Sequence, residues 1–210
     1  MLSVALTAAS YYDRAFSLSK LTTEAYIRDE LFEVIGVSVQ IDDSSASSST
    51  WFSGTKKETR EFLEQFDWEN SLTVAHNAMF DMAIVNWRFG IKPARIADTL
   101  SMARAIHGTQ VGGSLRALTE YYGIGKKGTE VLNALGKHRA DFSEEELEAY
   151  AGYCKNDTAI TYKLFKCLMA EGFPIAELKL IDLTLRMFTE PVLQVGTFLL
   201  ETHLEELKEK

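Results

Sequence analysis

The strongest constraint on the fold is the order in which strand-like and helix-like segments follow one another. The chain opens with a short apolar run over residues 1–9, ended by small polar residues, which predicts a buried first strand. Residues 32–41 alternate apolar with small or polar side chains and predict a second strand. The serine-rich residues 43–50 predict a turn that leads into a third strand around Trp51. These three strands are expected to form an antiparallel meander.

The middle of the chain alternates strand and helix, and the second half is helical. Residues 72–75 and 95–98 predict a fourth and a fifth strand, with a helix over residues 79–89 between them. Ser114 and Ser143 are typical helix caps, and Ser143 begins a long predicted helix because an acid follows three positions later. Strands first and helices later, with one alternation in the middle, indicate an α/β fold built on a mixed sheet.

Charge and composition narrow the function. With 22 Lys and Arg against 30 Asp and Glu, for a net charge of −8, the chain lacks the basic footprint of a protein that grips duplex DNA by its phosphates. No run approaches the ~18 apolar residues of a membrane span, and no secretory signal is recognisable. Cys154 and Cys167 fall in one predicted helix, ~20 Å apart, which is too far for a disulfide. We therefore expect a soluble, intracellular, cytoplasmic protein.

Two short polar clusters stand out in otherwise apolar, structured sequence. One is Asn77 to Asp81 and the other is Tyr153 to Asp157. Tyr153 and Asp157 are four residues apart, so on a helix the phenol and the carboxylate share one face. A phenol beside a carboxylate, with a second carboxylate from another element, suits a metal-assisted hydrolase that orients a water molecule.

The partner carboxylates that such a site needs are missing from the first strand. The first acidic residue of the chain is Asp13. Mg²⁺ and Mn²⁺ demand oxygen ligands, mostly carboxylates. If the metal site draws ligands from the end of the first strand, then Thr7, Ala8 and Ala9 supply no charge there.

Both polar clusters resemble motifs of the DEDD superfamily of 3′–5′ exonucleases, in the subtype with a catalytic tyrosine. Asn77, Phe80 and Asp81 match the second motif of that superfamily, and Tyr153 and Asp157 match the third. More narrowly, the chain resembles the proofreading domain of phage-type family A DNA polymerases over nearly its whole length. The further segments that carry this resemblance are Tyr11–Asp13, Tyr26–Asp29, Gly112–Leu115, Lys127–Thr129 and Glu190–Leu193.

The resemblance implies a ribonuclease H-like fold, with a mixed five-stranded sheet flanked by helices, and a reaction that uses two Mg²⁺ or Mn²⁺ ions. It implies that Asp81 and Asp157 are catalytic metal ligands and that Tyr153 orients the attacking water. The implied substrate is the 3′ end of single-stranded DNA. The substrate-binding residues implied in the same way are Ser10, Asn77 and Phe80.

The chain departs from the family in its first motif, Asp-x-Glu at the end of the first strand. Aligned through Tyr11–Asp13, the two acidic positions fall on Thr7 and Ala9, and a shift by two would place them on Ala5 and Thr7. Both acids are absent in either register, and the bridging metal ligand is lost with them. We therefore expect hydrolysis to be lost or strongly impaired, since each ~1.4 kcal/mol of lost barrier stabilisation is tenfold in rate.

The same resemblance sets the expected domains and the alternatives. Residues 1–190 are expected to form the exonuclease domain, and residues 191–210 a helical lead-out toward a polymerase domain that the chain lacks. A phage-encoded protein in a bacterial host fits this interpretation. Two alternatives stay open: a non-catalytic module that binds single strands or a partner protein, and a free-standing DEDD exonuclease or RNase. The sequence also leaves open whether DNA or RNA is preferred.

Overall fold

The protein was analysed as a computed structural model, and the structure describes residues 2–42, 48–126, 128, 134–193 and 195–208. The strands are β1 Leu2–Ser10, β2 Val34–Asp42, β3 Ser48–Phe52, β4 Ser71–Ala75 and β5 Arg95–Asp98. The helices are α1 Thr23–Arg28, α2 Lys56–Leu63, α3 Ala78–Phe89, α4 Thr99–His107, α5 Leu115–Tyr122, α6 Glu144–Ala170, α7 Ile175–Thr189 and α8 Thr197–Lys208, with a 3₁₀ turn at Arg139–Asp141.

The five strands form one mixed sheet in the order β3-β2-β1-β4-β5. β1 pairs antiparallel with β2 and parallel with β4, and β5 extends the parallel half. The predicted mixed five-stranded sheet is therefore confirmed. Because β1 and β4 run in the same direction, their carboxyl ends meet at one edge of the sheet, and α3 begins at this edge directly after β4.

The sheet is covered by helices on both faces. Successive side chains of a strand point to opposite faces. Val4 and Leu6 accordingly pack in one hydrophobic cluster with residues of α1, α2 and α3, whereas Ala5 packs in a second cluster with residues of α4 and α5. Residues of helix α6 pack in both clusters, Cys154 in the first and Ile160 in the second.

Two differences from the sequence-based expectation have physical causes. The serine-rich turn predicted over residues 43–50 is wrong for residues 48–50, because they pair with β2 and belong to β3; residues 43–47 lie outside the described residues. Helix α4 was not predicted at all. It begins immediately after β5, and the side chain of Asp98 caps it by accepting the N–H groups of Leu100 and Ser101.

The C-terminal helices differ in how they pack. Helix α7 lies against β5 and α3, where Trp87 Nε1 donates to the carbonyl of Thr189 at 2.8 Å and Asp182 accepts the N–H of Ile96 at 3.0 Å. None of the described residues of α8 is buried. Within the described part of the chain, no helix is both long and apolar enough to cross a membrane.

Gly36 of β2 lies under the indole ring of Trp51 and pairs with Ala9 at the end of β1. A Cβ at this position would lie 2.2 Å from Trp51 Cζ2 and 2.8 Å from the carbonyl oxygen of Phe52. Gly36→Ala should therefore lower the free energy of unfolding by about 1–3 kcal/mol, the usual cost of overpacking, as measured by chemical denaturation.

The matched control for this substitution is Gly152→Ala in the interior of α6. Apart from its chain neighbours and the backbone of α6 itself, no atom lies within 4 Å of a Cβ built there. An alanine in a helix interior is about 0.5–1 kcal/mol more favourable than glycine, so this variant should be more stable than the parent. A Gly36→Ala protein as stable as the parent would show that the indole ring does not cover the strand as described.

Candidate active-site cleft

A cleft of about 490 Å³ opens at the carboxyl end of β1. Its floor consists of residues 7–10 of β1, and one side is formed by the loop that follows, including Tyr12 and residues 17–19. The remaining lining residues come from α1, α3 and α6: Tyr26, Phe80, Tyr150, Tyr153, Cys154 and Asp157. The cleft is thus rich in aromatic rings, and none of the described residues that line it carries a positive charge.

Helix α6 presents one continuous face to the cleft. Tyr150, Tyr153, Cys154 and Asp157 have the i, i+3, i+4, i+7 spacing that places side chains on one side of a helix. The structure brings the predicted catalytic residues Tyr153 and Asp157 into the cleft together. Tyr150 was missed, although its spacing from Tyr153 was visible in the sequence. Burial raises the pKa of the Tyr150 phenol above its ordinary value.

Asp81 lies in the first turn of α3 and contacts the cleft floor from outside the lining. Its Oδ1 accepts the backbone N–H of Ala8 at 2.8 Å, and the residue is only 7% exposed. Burial raises the pKa of this carboxyl to about 7, the negative charge of Asp98 acts in the same direction, and the hydrogen bond from Ala8 opposes both. The carboxylate therefore anchors the strand that forms the floor.

Asp98 organises the site, and the sequence analysis did not identify it. Its Oδ1 accepts the N–H groups of Asn77 at 2.8 Å, Ala78 at 3.1 Å and Leu100 at 3.1 Å, while Oδ2 accepts the hydroxyl of Ser101 at 2.7 Å. One buried carboxylate thus holds the first residues of α3 and of α4 at the sheet edge. The available signal was an aspartate at a strand end with a serine three positions later, the pattern of a helix cap.

The three predicted substrate-binding residues are placed differently. Ser10 and Phe80 both line the cleft. The Ser10 hydroxyl lies 3.0 Å from the hydroxyl of Tyr26, and the ring of Phe80 stacks on that of Tyr26 with centroids 6.2 Å apart. Asn77 is exposed at the start of α3 in the left-handed conformation, with φ 62°, and is not among the lining residues.

The two proposed registers of the first motif also differ in position. Thr7 and Ala9 both line the cleft. Ala5 is fully buried in the hydrophobic cluster that contains Val74 and Ile160. The structure thus places the Thr7 and Ala9 pair, and not Ala5, where a cleft-facing ligand would stand.

The residues present do not fit a two-metal centre. Among the described residues, no three His, Cys, Asp or Glu side chains are grouped closely enough to hold a metal ion. Two-metal hydrolysis needs a carboxylate that bridges both ions. Thr7 and Ala9 offer none, and Oδ1 of Asp81 already accepts the Ala8 N–H.

The loop after β1 is held by a network of aromatic and carboxylate contacts. The Tyr26 hydroxyl donates to the carbonyl of Tyr11, and the Tyr11 ring stacks on His138 with centroids 4.0 Å apart. Asp13 accepts the N–H of Phe16 at 2.6 Å and the Tyr11 hydroxyl at 2.8 Å. These hydrogen bonds hold the pKa of Asp13 below its ordinary value, and the bond from the Phe16 N–H has the largest effect. The loop that carries Tyr12 is thereby tied to the sheet edge.

Comparison with known proteins gives one family and several structural neighbours. A family model described as 3′–5′ exonuclease matches residues 22–172, more than half of the chain, and starts after β1. No curated protein matches the sequence significantly.

The solved structures include NrnC from Brucella melitensis, with 14% identity, a TM-score of 0.60 and coverage of 90% of this chain and 83% of that one. RNase D from Trypanosoma brucei has 13% identity and a TM-score of 0.68, covering 92% and 68%. Escherichia coli RNase D has 18% identity and a TM-score of 0.53, covering 90% and 46%. At these identities the likeness shows the shared fold, and the predicted ribonuclease H-like fold is confirmed.

The raised pKa of Asp81 predicts how stability depends on pH. The folded-state pKa of about 7 exceeds the ordinary value of 3.8, so the folded state binds more protons between these values. Stability from this group is complete below pH ~4 and is lost as pH rises through 7. In EDTA-containing buffer, the free energy of unfolding should fall by roughly 2–3 kcal/mol from pH 5 to pH 8 through this group.

Asp81→Asn should remove this part of the pH dependence, because the amide oxygen still accepts the Ala8 N–H but does not titrate. Urea denaturation at pH 5 and pH 8 measures the difference. Glu148→Gln, at an exposed position of α6, is the control and should keep the slope of the parent. An equal slope in the Asp81→Asn variant and the parent would refute the assignment to Asp81.

Proposed function

Because the chain belongs to the 3′–5′ exonuclease family, we propose that its cleft binds the single-stranded 3′ end of a nucleic acid and hydrolyses it weakly or not at all. The observation that carries this proposal is the composition of one cleft. Tyr153, Asp157 and Phe80, which resemble the second and third family motifs, line it. The floor carries Thr7 and Ala9, which stand at the two acidic positions of the first motif in one of its two possible registers. In this proposal the chain keeps the binding half of the site and lacks the metal-bridging half.

The chemistry of the lining favours bases over phosphates. Four tyrosines and one phenylalanine line the cleft, and each base stacked on an aromatic ring contributes about 1–3 kcal/mol to single-strand binding. NrnC, one of the structural neighbours, has been solved bound to pGG and also with bound Mg²⁺. In this chain the stacking rings and the Ser10 hydroxyl would orient the terminal nucleotide.

Two proposals remain for the kind of protein in which this exonuclease fold acts. The resemblance in the motifs favours a proofreading domain beside a family A polymerase domain. In support, the C-terminal segment exposes apolar side chains that another domain would cover, among them Leu193 at 90% and Phe198 at 77% exposure. The RNases among the structural neighbours favour the alternative, a free-standing protein that acts on RNA.

A labelled single-stranded oligonucleotide tests both activity and context. With Mg²⁺ or Mn²⁺ added, we expect anisotropy to show binding and gel analysis to show shortening several orders of magnitude slower than by an intact two-metal exonuclease. Parallel DNA and RNA oligonucleotides separate the polymerase context from the RNase context. Rapid stepwise shortening from the 3′ end would contradict the proposal.

Two variants, one in the cleft and one outside it, test where the oligonucleotide binds. Phe80→Ala removes one ring from the cleft and should weaken binding about fivefold or more, because the stacking range begins at about 1 kcal/mol. Tyr121→Ala removes an exposed ring on α5 that is not among the cleft residues, so its affinity should equal that of the parent.

Restoring the acids should recreate a metal-dependent site. In the double variant Thr7→Asp and Ala9→Glu, four carboxylates would stand close together without a metal, and like charges repel. Its melting temperature in EDTA should fall below that of the parent by several degrees, at about 2–4 °C per kcal/mol, and should rise again on addition of Mg²⁺.

The isosteric neutral variant, Thr7→Asn with Ala9→Gln, controls for the added volume. It should not respond to Mg²⁺, and neither should the parent. If the melting temperature of the acidic variant is the same with and without Mg²⁺, positions 7 and 9 are not those of the lost metal ligands.

A further inference from the structure

A second cavity, of about 250 Å³, lies between the start of β2, the start of α2 and the end of α3. It shares no lining residue with the cleft. Three cationic side chains from three different elements line it: Lys56 of α2, Arg88 of α3 and Arg139 of the 3₁₀ turn. This convergence is unexpected in a chain with a net charge of −8.

Both guanidinium groups are held in place by neutral acceptors. Arg139 donates through Nε to the Ser53 hydroxyl at 3.0 Å and through Nη2 to the Ser53 carbonyl at 3.1 Å. Arg88 donates to the carbonyls of Ile27 at 3.4 Å and Phe32 at 3.2 Å. A guanidinium has five N–H donors, so each arginine is positioned while keeping further donors. These partners carry no charge and so do not themselves neutralise the guanidinium groups.

The carboxylates near this cavity are already engaged. Glu33 also lines the cavity, and its Oε2 receives His138 Nδ1 at 2.7 Å and the Arg139 N–H at 3.2 Å. Oε2 of Glu58 accepts the hydroxyl and the N–H of Thr55 at 2.7 and 2.8 Å. These bonds are the main cause that lowers the pKa of Glu58, and the charge of Arg139 makes a smaller contribution in the same direction. The cavity is therefore lined by three cationic side chains and by a single carboxylate, that of Glu33.

We infer that this cavity is an anion site that takes a phosphate group. Guanidinium forks match the oxygen geometry of phosphate, and the first turn of a helix, here α2, also favours negative charge. The volume suits one phosphoryl group. The source of that group is either the backbone of a nucleic acid or a free phosphate.

The position of the cavity is relevant to nucleic-acid binding. Ser10 of the cleft pairs with Val34 of the cavity across β1 and β2, and the Tyr11 N–H donates to the Glu33 carbonyl at 2.8 Å. Cavity and cleft thus lie at the same edge of the sheet, and the cavity holds the positive charge that the cleft lining lacks.

Titration with inorganic phosphate at constant ionic strength, followed by calorimetry, tests the site. Lys56 is exposed and has no ion pair among the described residues, so Lys56→Met should fold normally and bind phosphate at least fivefold more weakly. Lys57→Met is the matched control, because the neighbouring Lys57 pairs with Glu61 and does not line the cavity. Its affinity for phosphate should stay within twofold of the parent.

A competition experiment then identifies the source. If phosphate displaces a bound single-stranded oligonucleotide and Lys56→Met weakens both ligands, the cavity takes a backbone phosphate. If phosphate and oligonucleotide bind together, the cavity takes a free phosphate. Equal losses in Lys56→Met and Lys57→Met, or no phosphate binding beyond the effect of matched chloride, would overturn the inference. Phe80→Ala should leave phosphate binding unchanged, which separates this result from that of the cleft.

Discussion

The buried carboxylate of Asp98 fixes the point at which the sheet meets two helices. Because β4 and β5 are parallel, their carboxyl ends lie at one edge of the sheet. A hydrogen-bond acceptor shared by both following helices then fixes where each helix begins. Asp98 takes the N–H groups of Asn77, Ala78 and Leu100 on one oxygen and the Ser101 hydroxyl on the other. Charge-assisted bonds of this kind are stronger than neutral ones. This one side chain therefore holds the start of α3, the helix from which Phe80 reaches the cleft.

The same carboxylate shapes the electrostatics of the floor. Asp98 adds its charge to burial in raising the pKa of Asp81, which in turn binds the backbone of β1. Two further acids at Thr7 and Ala9 would place several negative charges around one strand end, an arrangement that metal ions normally compensate. With Thr7 and Ala9 at these positions, this accumulation of negative charge does not arise. The small uncharged side chains at positions 7 and 9 are therefore compatible with a floor that Asp81 and Asp98 approach from below.

The sequence predicted the parts of this structure that local patterns control. All five strands, helix α3 and helix α6 were recognisable from periodicity and caps, and the spacing of Tyr153 and Asp157 placed both on one face of α6. Contacts between distant segments were not recognisable. Tyr26 reaches the cleft from α1 only because the chain folds back, and helix α4 depends on a cap whose other bonds run to α3. The sequence around Asp98 has the pattern of a helix cap, but its bonds to the N–H groups of Asn77 and Ala78 join distant segments and were not recognisable.

Helix α6 has a consequence for how the cleft accommodates a ligand. This helix of 27 residues, about 40 Å long at 1.5 Å per residue, supplies one wall of the cleft and also packs in both hydrophobic clusters. A hinge at that wall would have to break the packing on two faces of the sheet at once. The opening is therefore preformed and of fixed width on this side. Adjustment to ligands of different size therefore falls to the flexibility of the single strand itself and not to α6.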